Sequence, residues 1–200
     1  MLNFLRQHWF DLGAGLALAS LLYLYDHPDL SDLSFLLWLN LIGLFAHQYE
    51  EYRFPGTFPR MLNRVMYRSA QPDRFPLNPQ TALLINVGLG WTLYASAAFL
   101  ADRALWLGIA AVLVSAGNWL AHTLLFNWRG RTFYNAGMLT AWVFFLPIAG
   151  FFCWYIIHFD RGSPMDYVAG TGLGLLVSGL TVKLIGWLAD PQTPYAFRGR

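Results

Sequence analysis

Charge is what this chain has least of. Asp, Glu, Lys and Arg make up 12% of its 200 residues, about half of the roughly 25% usual in soluble domains. With 56% hydrophobic residues and a mean hydropathy of +0.41, that deficit excludes a water-soluble globule and points to an integral membrane protein. Cysteine is nearly absent. Cys153 stands alone, which excludes an intramolecular disulfide and a thiolate metal cage and makes it a small core or lipid-facing residue. No HExxH occurs, so a zincin-like protease site is excluded. The net charge of +2 gives nucleic acid binding no support.

What is present is apolar sequence cut into pieces of membrane-crossing length. Six segments, about 9–25, 33–53, 79–101, 104–126, 136–158 and 166–188, are each long enough to cross about 30 Å of hydrocarbon. They predict an all-α fold, a polytopic transmembrane helix bundle of about six spans forming a single domain over residues 1–200. Arg6 ahead of an apolar run and "ALAS" at Ala17–Ser20 resemble a signal peptide. Asp11 and the continuing "LLYLY" instead fit an uncleaved first span.

Cation placement sets the expected orientation. The loops after spans one, three and five hold only Arg103 and Arg161, whereas the opposite side collects eleven cations: Arg6, Arg53, Arg60, Arg64, Arg68, Arg74, Arg129, Arg131, Lys183, Arg198 and Arg200. Both termini are therefore expected in the cytoplasm, and the protein in a bacterial inner (cytoplasmic) membrane, with membrane lipid as its surroundings and protein partners undefined. In the long second connection, "PRMLNRVMYR" spaces Arg60, Arg64 and Arg68 by four residues against Met61, Leu62, Val65 and Met66. An amphipathic interfacial helix over about 59–69 is expected, either a surface anchor or a lid for lipid entry. Asn78 and Pro79 are suited to cap and start the third span. Gly170, Gly174 and Ser178 form a small-residue ridge on the sixth, and Pro147 is placed to kink the fifth.

Against this background the few polar residues inside spans stand out. "HQYEE" ends the second span: His47 and Glu51 lie about 40° apart around a helix axis and Glu50 about 60° to the other side, one broad face. "NWLAH" repeats the spacing on the fourth span with Asn118 and His122, and "YNAG" puts Tyr134 and Asn135 at the start of the fifth. In a six-span topology all three clusters fall at one depth on the cytoplasmic side. Ionisable groups there are costly in lipid, so they should face the bundle interior and find partners.

These three patterns, in this order, resemble the HXXEE family of small integral membrane proteins, whose other motifs read NxxxH and YNPG. Ala136 stands where that last pattern has proline. The resemblance implies a shared polar centre on these positions and supplies no established reaction.

Several chemistries suit such a centre. His47, His122 and Glu51 can ligate a divalent metal, zinc or iron, leaving Glu50 as general base and Asn118, Tyr134 and Asn135 to orient a reacting group. Access from the bilayer makes a lipid or isoprenoid-like apolar molecule the expected substrate, hydrolysed with zinc or oxidised with iron. A metal-free acid/base isomerase or cyclase is a second reading. A small transporter or proton/cation-binding protein is a third, although no repeat of HxxEE occurs in the second half. The fourth is a structural subunit of a membrane assembly, with the polar groups holding helices together.

Overall fold

A computed structural model describes residues 2–197. Seven helices follow one another, and no strand occurs among the described residues. They are α1 (Leu2–Asp26), α2 (Asp32–Tyr52), α3 (Phe58–Met61, continuing into a π-helical turn Leu62–Met66), α4 (Pro79–Phe99), α5 (Leu105–Gly130), α6 (Met138–His158) and α7 (Pro164–Trp187). Local chemistry fixes the starts. The Asn78 side chain accepts from the Gln80 and Thr81 amides with Pro79 at the first helical position, as expected. Ser163 and Asp166 form a reciprocal capping box on α7.

Helices α4, α5, α6 and α7 are long and apolar enough to cross a membrane. Helix α1 begins at Leu2, well before the expected residue 9. Helix α2 has a different character: 14 of its 21 residues are buried, His47, Gln48, Glu50 and Glu51 among them. It is the central element, with α1 along one flank and α4, α5 and α6 around the rest. Burial inside protein rather than against lipid is what lets one helix carry four such polar side chains. Arg198 and Arg200, counted in the charge balance, lie outside the described residues.

The α5–α7 seam uses the small-residue ridge. A Cβ on Gly170 would sit 2.7 Å from the Trp106 carbonyl oxygen, and one on Gly174 would sit 3.0 Å from that of Ala110. Backbones approach this closely only where there is no side chain to separate them.

The expected interfacial helix departs from a simple surface anchor. It runs from Phe58 to Met66 and is stopped by Arg68 at φ 51°. Arg60, Arg64 and Arg68 do face outward, but Phe58, Pro59, Leu62 and Asn63 are buried. Asn63 donates to the Pro72 and Leu77 carbonyls at 3.0 and 2.8 Å and accepts from the Leu77 amide at 2.9 Å. The segment is thereby stitched over one end of the bundle. At that end, helices α3, α4, α5 and α6 each contain a π-helical stretch: Leu62–Met66, Leu84–Trp91, Ala121–Leu125 and Ala141–Phe145. Such stretches re-aim side chains at the cost of regular hydrogen bonding and concentrate at functional sites. Pro147 lies two residues beyond the last, where its missing N–H calls for a break in the ladder.

Candidate metal centre

The end of α2, the end of α5 and the start of α6 meet. His122 sits in the π-helical stretch of α5 and is completely buried; its Nδ1 is 2.6 Å from Asn135 Oδ1. The Asn135 amide nitrogen donates to the His122 carbonyl and to Asn127 Oδ1, both at 2.8 Å. That fixes Oδ1 as the acceptor, so His122 Nδ1 carries the proton and Nε2 presents a lone pair.

His47 is held in the same way. Its Nδ1 lies 3.1 Å from Thr140 Oγ1, whose own proton goes to Glu50 Oε2 at 2.6 Å. His47 Nδ1 must therefore donate, and its Nε2 is again a bare acceptor. Both Nε2 atoms are buried without a hydrogen-bond partner. Both point toward Glu51 Oε1, which lies 3.6 Å from His47 Nε2 and 3.2 Å from His122 Nε2.

Glu51, His47 and His122 offer ligand atoms that all fall within 4.8 Å of one another. Tetrahedral coordination at about 2.0–2.2 Å places ligand atoms roughly 3.3–3.6 Å apart; the His47 contact to Glu51 at 3.6 Å falls in that range and the His122 contact at 3.2 Å just below it. Two imidazole lone pairs and a carboxylate, with no donor among them, form an all-acceptor cluster that only a cation or added protons can satisfy. The other ring nitrogens are tied to Asn135 and Thr140, the outer support that orients metal-ligating histidines.

Glu50, one residue away, has no bare face. Tyr134 Oη donates to its Oε1 at 2.8 Å and the Leu139 amide at 3.2 Å, while the Thr140 amide and hydroxyl reach Oε2 at 2.8 and 2.6 Å. Free backbone donors at the start of α6 explain the attraction, because the first amides of a helix have no intrahelical partner. Burial and the hydrogen bond to Glu50 push the Tyr134 phenol up to about 12, so it remains a neutral donor at neutral pH. Glu50 thus clamps the turn that carries Asn135 and Thr140, and through them sets both imidazoles.

Gly137 explains why the turn ends in glycine. Its φ is +102°, and an added Cβ would lie 2.4 Å from His122 Cε1 and 2.8 Å from His47 Cε1. Both the backbone angle and the two rings require its bare Cα.

Sequence comparison bears on the same residues. The profile of proteins of unknown function with the HXXEE motif matches residues 38–152, from the middle of α2 into α6. The chain belongs to this HXXEE family. No curated protein and no solved structure matches it. In the HXXEE pattern itself the His and the second Glu face the cluster, while the first Glu holds the fold around it. Ala136 is buried and packs in a core cluster with Phe58, Ile85 and Phe126.

A cavity of about 500 Å³ adjoins the cluster, within the usual size range of small-molecule sites. His47 and Glu51 lie in its wall, as does Asn118. Asn118 is not joined to the histidines; its amide donates to the Val114 carbonyl of its own helix at 3.2 Å. Phe58 of α3 closes over His122 with ring centroids 5.2 Å apart, and Phe145 packs on His47 at 4.8 Å. Sequence reasoning missed Thr140, although it lies one helical turn beyond the YNAG stretch, and missed Gln48 inside the HXXEE stretch and Tyr52 directly after it.

Proposed function

We propose that this protein is a membrane-embedded metal-dependent enzyme acting on a lipid or isoprenoid-like substrate, with one divalent ion held by His47, Glu51 and His122. The observation that carries the reading is the pair of buried Nε2 lone pairs converging on a single carboxylate with no donor between them. Zinc would supply Lewis-acid chemistry there, and ferrous iron redox chemistry. The residues around it have separate tasks. Asn135 and Thr140 hold the imidazoles in the ligating tautomer, Glu50 and Tyr134 keep that turn in place, and the largely aliphatic cavity excludes water and receives an apolar chain. Asn118, in the cavity wall, is placed to meet substrate rather than metal. The arginine distribution supports six spans with both termini in the cytoplasm, which sets the site in the cytoplasmic half of a cell membrane.

Elemental analysis of the detergent-purified protein tests this directly. About one zinc or iron per chain is expected, falling to background in His47→Ala and His122→Ala proteins that keep their helical circular dichroism. Folded wild-type protein that stays metal-free after incubation with either ion would overturn the reading. One contact favours a second reading: Glu51 Oε1 and His122 Nε2 at 3.2 Å are also spaced to share a proton, as in metal-free acid/base chemistry. Full activity after exhaustive chelation would select it.

A further inference from the structure

A second polar system lines the cavity, and the metal ligands take no part in it. Trp91 Nε1–H donates to Gln48 Oε1 at 2.8 Å, and Gln48 Nε2 donates to Asn86 Oδ1 at 3.1 Å. Asn86 Nδ2 then donates to the Ala82 carbonyl at 2.9 Å and to Tyr52 Oη at 3.2 Å. The direction of this chain is fixed at two points. An indole N–H only donates and a backbone carbonyl only accepts, so neither amide can be turned round without losing a bond.

Tyr52 Oη is therefore an acceptor in the chain, and its proton is left to donate elsewhere. Among the described residues none accepts it. The ring is held by neighbours, with centroids 4.8 Å from Trp9 and 6.2 Å from Phe58, and Tyr52, Asn86 and Gln48 all line the cavity. A half-buried hydroxyl donor in the cavity wall, kept free by three other side chains, is an anchor for an oxygen acceptor, since an apolar ligand alone would leave it unsatisfied. The acceptor's charge is also constrained. No Arg or Lys is among the residues lining this cavity, and its one acidic residue is Glu51. A carboxylate or phosphate against Tyr52 would have no countercharge at that end.

We propose that the Tyr52 hydroxyl anchors an uncharged oxygen, an ester or ketone carbonyl, on an apolar chain lying in this cavity. The proposal deepens the substrate reading above and rests on the cavity being the substrate chamber; it does not require the metal. Equilibrium binding of tritiated methyl oleate to the purified protein in detergent tests it, with unlabelled oleate and octadecane as competitors. Saturable binding is expected in the wild type, weakened about three- to tenfold in Tyr52→Phe, with metal content unchanged and thermal unfolding lowered only by the loss of the Asn86 hydrogen bond. Asn86→Asp should weaken it similarly while keeping the tyrosine, because a carboxylate there would accept the Tyr52 proton. Octadecane should compete poorly, and oleate no better than the ester. Absence of saturable binding, equal binding by Tyr52→Phe, or tighter binding of oleate would overturn the proposal. Tyrosine-dependent ester binding in a protein that takes up no metal would instead leave this inference standing and remove the metal centre.

Discussion

Glu50 accepts four hydrogen bonds from Tyr134, Leu139 and Thr140, whereas Glu51, one residue on, faces two imidazole nitrogens that offer it no proton. The two residues are each 5% exposed, so solvent exposure does not distinguish them, and their partners do. A carboxylate saturated by donors holds structure, while one surrounded by acceptors is incomplete until a cation or proton arrives. The doubled glutamate of the HXXEE motif then has a physical meaning: adjacent positions on α2 diverge by about 100° within one broad face, one reaching into the turn before α6 and one toward the histidines.

The strongest way to break the comparison is Glu50→Ala. It strands two amides and two hydroxyls at once, and loss of a buried, hydrogen-bonded charge costs about 3 kcal/mol or more. Thermal unfolding in detergent should show a large drop, accompanied by loss of metal because Thr140 no longer holds His47. An unfolding midpoint equal to wild type would show that Glu50 is not the clamp.

Gly137→Ala attacks the same turn from its other face. A methyl group 2.4 Å from His122 Cε1, at a backbone φ of +102°, should cost about 2 kcal/mol and displace both rings. Metal retention at wild-type stoichiometry would count against the tight turn as the element that aligns the imidazoles.

Glu51→Gln sharpens the contrast because its expected effect on folding has the opposite sign. Removing a buried charge that lacks donors should leave metal-free stability unchanged or raise it by up to about 1 kcal/mol, while metal content falls sharply. Destabilisation comparable to that of Glu50→Ala would mean that the two carboxylates are structural equals.

Much of this was legible in the residues. Scarce charge and long apolar segments point to the helical bundle, and the polar stretches HQYEE, NWLAH and YNAG, each at an end of an apolar segment, point to His47, His122, Glu51 and Asn135 as one centre. The division of labour between Glu50 and Glu51 was not legible, because helical spacing places both on one broad face and the donors to Glu50 are backbone amides created only when the turn at Gly137 folds. Thr140 was hidden for the same reason: a threonine in an apolar helix start looks ordinary until its hydroxyl is seen between Glu50 and His47. The Tyr52 chain depends on Gln48, Asn86 and Trp91 meeting across two helices, which no single-helix pattern encodes.

Asn118 is the remaining polar group of the sequence pattern, and the smallest effect is expected there. Spacing alone makes it a partner of His122, yet its amide is spent on the Val114 carbonyl one turn back. That carbonyl belongs to the same helix, and a side-chain bond of this kind adds little to it. Asn118→Ala should therefore change stability by no more than about 0.5 kcal/mol and leave metal content untouched. Because the side chain lines the cavity, any loss should surface in ligand binding alone. A fall in bound metal would mean that Asn118 swings toward the histidines when the ion enters, and the border between the ligand-holding turn and the cavity wall would have to be redrawn through α5.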